Sequence, residues 1–137
     1  MPVREVEYCY TRVKAGRAGE AAAALAALRK AGVSLLAFTG FPTGSGKAQL
    51  DFVAEDLAGI RRVARKEGWR LSAAKKAIVV QGRDTVGACH RQLRKLAKRG
   101  INVTAVDAVT AGRGRYGMIL WVKPKDHARA VRALGAR

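Results

Sequence analysis

The chain repeats itself at a fixed offset. Slid by 68 positions, Gly19 falls on Gly87, Leu25 on Leu93, Leu28 on Leu96 and Gly32 on Gly100. Val33 then meets Ile101, Ala37 meets Ala105, Gly44 meets Gly112 and Gly46 meets Gly114, with no gap over that stretch. Glycines recur where turns are expected and leucines where a core is expected, so a whole folding unit has been copied. The fold must therefore be one in which about half of the chain is already a complete supersecondary unit. The expected division is residues 1–72 and 73–137.

Alternation and β-branched or aromatic residues predict a strand over Val3–Val13. Glu20–Ala31 is rich in alanine, places Leu25 and Leu28 three apart and stops at Gly32, which predicts a helix. Ser34–Phe41 and Ala48–Ala54 predict two strands joined by the turn-forming Pro42–Lys47 as a hairpin with a longer loop. Leu57, Ile60 and Ala64 form the apolar stripe of a second helix, with Arg61, Arg62, Arg65 and Lys66 outward and Gly68 as its stop. Trp69–Ser72 predicts a short fourth strand.

The same β-α-β-β-α-β order begins again at Lys76. Ala77–Gln81 reads as a strand and Thr85–Arg99 as a helix with Val86, Cys89, Leu93, Leu96 and Ala97 inward. Asn102–Thr110 and Arg115–Val122 read as hairpin strands, and a last helix from Pro124 turns Ala128, Val131 and Leu134 inward. Trp69 corresponds to Arg137, so the closing strand of the second copy is expected to be missing. Its first strand would then have a bare edge, expected to be covered by a strand of the first copy or of a second chain. The fold class expected is α+β: two ferredoxin-like modules in tandem, the second lacking its last strand, with antiparallel sheets carrying helices on one face.

Twenty-seven Lys and Arg against 10 Asp and Glu give a formal charge of +17. That balance predicts attraction to polyanions with strong salt dependence; solvation of helix faces by arginine is the alternative. The start MPVREVEY has no signal-peptide core, and Ala21–Leu28 is too short to span a bilayer, so the expected location is the cytoplasm and no membrane partner is expected. Cys9 and Cys89 fall at non-equivalent positions and read as reduced structural thiols. His90 and His127 stand at no metal-ligand spacing, so neither a metal nor another cofactor is expected.

Two glycine motifs are decoys. Gly112–Gly117 satisfies GxGxxG but joins two strands, whereas a dinucleotide fingerprint joins a strand to a helix. Gly40–Ala48 has the wrong glycine spacing for a phosphate loop, and Ala48 stands where a hydroxyl is needed.

The informative stretch is Val79–Val109. Asp84-Thr85-Val86-Gly87 follows a strand and opens a helix, and Gly100-Ile101-Asn102-Val103 enters the next strand. These two signatures resemble the ACT-domain family, whose members carry D/N-x-P-G and G-[IV]-N-[IV] there. Val86 replaces the usual proline. Leu120–Lys123 also resembles the family's third strand. The resemblance covers residues 76–135, and reaches residues 5–72 only through the repeat, where Gly16 and Ser34 stand in place of Asp84 and Asn102. It implies a regulatory module that binds an amino acid or related metabolite between modules, as a homodimer or higher oligomer. Asp84, Thr85, Val86, Gly87, Asn102 and Val103 would contact the ligand, with Gly16, Gly19 and Ser34 as a possible second site. The chemistry suits that role. A helix start offers free N–H groups to a carboxylate, Gly87 permits close approach, and Asn102 both donates and accepts. A purely structural reading stays open, with Asp84 as a helix N-cap, Gly87 as a packing glycine and Asn102 as a turn residue.

No nucleophile with its base and no paired carboxylates are legible, so no catalytic residue is assigned and the chain is not expected to be an enzyme. The alternative function is a basic ferredoxin-like nucleic-acid-binding protein. Arg113–Trp121 nearly matches the aromatic third strand of RNA-recognition modules, with Tyr116 as the base-stacking residue. A docking module for an acidic protein, using Arg91–Arg99, is a third reading.

Overall fold

The structure is a computed structural model and describes residues 3–135. Six strands and four helices follow the order β1 (Val3–Lys14), α1 (Glu20–Lys30), β2 (Ala37–Gly44), β3 (Lys47–Ala54), α2 (Ala58–Glu67), β4 (Lys75–Arg83), α3 (Ala88–Ala97), β5 (Val103–Gly112), β6 (Arg115–Val122), α4 (Pro124–Leu134). The fold is α+β, and β1–β3, β2–β3, β4–β6 and β5–β6 all pair antiparallel. The chain forms two compact units, Glu7–Lys75 and Met1–Val6 with Lys76–Arg137.

In the Glu7–Lys75 unit the strand order is β2-β3-β1. Cys9 and Val13 of β1 and Leu50, Phe52 and Ala54 of β3 point to one face, where Leu28 of α1 and Ile60 and Val63 of α2 complete an apolar core. This is the period-two alternation of strands meeting the helical stripe read from the sequence. Residues 69–72 form no strand, contrary to expectation. They run beside β1 through bonds that include Ser72 N–H to the Tyr10 carbonyl at 2.8 Å, Tyr10 N–H to Ser72 Oγ at 3.0 Å, and Thr11 Oγ1 to the Arg70 carbonyl at 3.0 Å. Trp69 is drawn inward instead, stacking on Phe52 at 5.6 Å between ring centroids. On the opposite face Asp51 is buried, and burial pushes its carboxyl up against the pull of the Gln49 amide, which donates to it at 2.9 Å.

In the other unit the order is β1-β4-β6-β5, so the start of the chain's first strand lies beside β4. That covers the edge expected to be bare. Val3, Ile78, Val80, Leu96, Met118, Leu120, Ala130 and Leu134 share one core. Arg137, on which the expectation of a missing closing strand rests, lies outside the described residues.

Both hairpin loops are shorter than expected. Ser45-Gly46 and Arg113-Gly114 alone make the turns, with φ of 54° and 70° in one and 57° and 69° in the other. Two consecutive left-handed residues match the twist of the flanking strands, so the strands run on to Gly44 and Gly112. Strands β2 and β5 start three residues and one residue later than expected, because Val33 and Ile101 first turn back onto their helices. Their N–H groups donate to the carbonyls of Leu28 and Leu96 at 2.9 and 3.0 Å, the bond that closes a helix C-terminus.

Register corrects the repeat outside its ungapped stretch. Val13 pairs with Ala48 and Gly82 with Tyr116, so the first strands correspond at an offset of 69 rather than 68. Ala15 is therefore the counterpart of Asp84, not Gly16. The N–H groups of Ala15 and Asp84 make the same bond, each 2.8 Å to the turn carbonyl of Gly46 or Gly114. The last helix slips the other way. Gly68 and Gly135 both end helices in the left-handed conformation, so Ile60 and Val63 match His127 and Ala130. Accordingly His127, Ala130 and Leu134 are buried, Val131 is half-buried, and Ala128 is exposed, against expectation. His127 is satisfied by Glu5, with Nε2 and Oε2 2.5 Å apart.

Candidate functional site

Helix α3 starts three residues later than the sequence suggested. Asp84 is not its N-cap; Gly87 is, in the left-handed conformation at φ 80°, and no side chain caps the helix. A left-handed residue there is cheap only for glycine. Residues 84–87 instead form a separate loop held from both ends. Asp84 N–H donates to the Gly114 carbonyl at 2.8 Å, and Ala88 N–H donates back to the Thr85 carbonyl at 3.0 Å. Arg91 reaches over from the helix, with Nη2 donating to Thr85 Oγ1 at 2.8 Å and Nη1 to the Val86 carbonyl at 3.4 Å.

This loop overhangs a cavity of about 300 Å³, at the small end of pockets that hold small molecules. Asp84, Thr85, Gly87, Ala88, Cys89 and His90 form one wall. Ala108, Val109 and Thr110 of β5 form another, with Tyr116 of β6 behind them. Thr110 and Tyr116 are cross-strand partners, which fixes that wall. Tyr116 is buried, and its ring lies against Gly82, where an added Cβ would stand 3.0 Å from Cε1. Among the described residues no hydrogen bond occupies the N–H groups of Cys89 and His90, the orphan donors of a first helical turn. The residues lining the cavity thus supply two free N–H groups at the positive end of a helix, an imidazole, a carboxylate and three hydroxyl-bearing side chains besides apolar wall.

Of the residues singled out in the sequence, Asp84, Thr85 and Gly87 line the cavity. Val86 does not; it is fully exposed, and so is not part of the buried stripe of α3 either. Ala97 is exposed too, so that stripe consists of Ala88 and Leu96 with Cys89 and Leu93 half-buried. Asn102 is exposed and Val103 opens β5, seven residues from Thr110. At ~3.3 Å per residue that is about 23 Å of strand, so within one unit they are not brought to Asp84. In the other unit Gly16 and Gly19 are left-handed residues before α1, and Ser34 is exposed ahead of β2. Sequence reasoning missed Cys89, His90, Ala108, Val109, Thr110 and Tyr116 as wall residues. Reading Arg113-Gly114 as a two-residue turn would have set Tyr116 opposite Ala111; the register shift between Thr110 and Gly112 then brings Thr110 across from it.

The burial of Tyr116 removes the base-stacking reading, since a stacking aromatic must stand on an open sheet face. Among the described residues no group of three or more His, Cys, Asp or Glu is placed to hold a metal ion, and no helix is long and apolar enough to cross a membrane. Cys9 and Cys89 are both free thiols.

No protein-family model and no curated protein sequence matches this chain. Solved structures do match in fold. A protein from Bacteroides thetaiotaomicron superposes with a TM-score of 0.79 at 12% identity, over 98% of this chain and 89% of its own. The aspartokinase alpha and beta subunits give 0.65 at 16% identity, over 98% and 95%. The ligand-free regulatory subunit of aspartate kinase from Thermus thermophilus gives 0.63 at 16%, again over 98% and 95%. At these identities the likeness concerns the fold, and it supports an ACT-like α+β architecture.

Proposed function

We propose that the chain is a pair of ACT-like modules in tandem, and that it is a non-catalytic regulatory protein sensing an amino acid or related small metabolite. The observation that carries this reading is the cavity at the start of α3. Its Cys89 and His90 N–H groups suit a carboxylate, and Asp84 on the same rim suits an ammonium group. Two aspartate kinase neighbours in fold are regulatory: the Thermus thermophilus subunit, and a putative C-terminal regulatory domain from Porphyromonas gingivalis. The signal is a population shift between packings of modules, favoured when ligand binds one arrangement better. A homodimer or higher homo-oligomer in the cytoplasm, with Asn102 and Val103 of a neighbouring module reaching the ligand, is part of the same proposal.

A thermal-shift screen of the twenty amino acids tests it. Ligand at a hundred times Kd stabilises by about 2.7 kcal/mol, several degrees for a chain of this size. One amino acid or a narrow group is expected to give a saturable shift. Asp84→Asn should remove most of that shift while leaving the unliganded melting temperature alone, because the Asp84 side chain is exposed and caps nothing. A uniform absence of shift at millimolar ligand would contradict the reading.

A further inference from the structure

We propose that the α3–α4 surface binds the phosphate backbone of nucleic acid without reading its sequence. Arg91, Arg94, Lys95 and Lys98 recur at three- and four-residue spacing on α3 and the turn after it, and all are exposed. They occupy one stripe of about 100° and rise over roughly 10 Å. Helix α4 packs against α3 and carries Lys125, Arg129 and Arg132, also exposed and also on one stripe. The two helices are tied where Arg129 Nη2 donates to the Arg99 carbonyl at 2.6 Å. The sole acid on either helix is Asp126, and it is neutralised by Arg129 at 3.1 Å. Among the described residues Arg94, Lys98, Arg99 and Arg132 have no ion pair, so their charges are available to a partner. The helix dipole favours Arg94, Lys95 and Arg132, which sit in the last turns of α3 and α4, but it does not account for the whole pattern. Lys125 sits in the first turn of α4, where the helix dipole disfavours a cation.

The surface also distinguishes between anionic partners. A protein interface needs apolar or aromatic anchors at its centre. The large exposed hydrophobic residues are Leu25, Leu36, Phe41, Val86, Val106 and Val109, and none lies on α3 or α4. A phosphate backbone needs only cations at regular spacing. With Tyr116 buried, no stacking platform accompanies them, so contacts stop at the backbone. This surface uses none of the residues that line the cavity, and only Arg91 touches the loop above it, so it stands or falls separately from the small-molecule site.

The test is fluorescence anisotropy of the intact chain with a mixed-sequence twenty-base-pair DNA duplex, titrated at several salt concentrations. A plot of log affinity against log salt should be linear and steep, and a second duplex of unrelated sequence should bind within about twofold. Replacing Arg94, Lys95, Lys98 and Arg132 together by Gln should flatten the slope by about 3.6, near 0.9 for each lost contact. It should weaken binding at low salt about a hundredfold. Arg94→Lys with Arg132→Lys keeps the charge and should keep the slope, which separates charge from folding. An unchanged slope in the Gln variant overturns the proposal, because binding would then lie elsewhere on the basic surface. Tighter binding of poly-glutamate than of the duplex, at equal charge and equal salt, overturns it in favour of an acidic protein.

Discussion

Phe52→Ala is expected to lower the stability of the chain by about 3–5 kcal/mol, the range for removing a large aromatic from a packed core. Phe52 is fully buried on β3, its ring centroid 5.7 Å from Phe38 and 5.6 Å from Trp69. Truncation would leave both rings facing a void, and Trp69 would lose the ring it stacks on. Against the ~5–15 kcal/mol that stabilises a typical domain, this is a severe change. The midpoint of urea unfolding should fall with little change in slope. Leu120, also fully buried, sits 68 positions on in the other unit, where Leu120→Ala should cost about 2–5 kcal/mol. A loss under 1 kcal/mol at either position would mean that these residues do not anchor the two cores.

The second large effect is expected from Ala108→Trp. Ala108 is exposed on β5 and forms part of the cavity wall. An indole there would occupy much of a space of about 300 Å³, and Trp is well tolerated in strands. Amino-acid binding should weaken at least a hundredfold, while stability changes by no more than about 0.5 kcal/mol, as for most surface substitutions. Undiminished binding by a correctly folded Ala108→Trp protein would place the ligand elsewhere.

The architecture was legible because its signals are local. Leu28 and Leu96 are buried at matching places, and the glycines at 32 and 100, 44 and 112, and 46 and 114 are all left-handed. What sequence alone hid was phase. A single extra residue between Ala15 and Gly19, relative to Asp84 and Gly87, moves the counterpart of Asp84, and no composition signal marks it. Starting α3 at Thr85 rotated Val86 inward, whereas the left-handed Gly87 delays the helix and leaves Val86 in solvent. At the site, the Asp84–Gly87 loop was found because a turn before a helix is a local pattern. Ala108, Thr110 and Tyr116 were not, because only cross-strand register brings them to it.

The claim on which the function rests is that the loop and first turn of α3 hold the ligand. Backbone amide NMR during titration with the amino acid selected by the thermal screen tests it most directly. The Cys89 and His90 amide signals should move saturably, together with those of Asp84 and Thr110. Movement confined to residues around Gly16 and Gly19, or no movement near α3 while the melting temperature still rises, would contradict it.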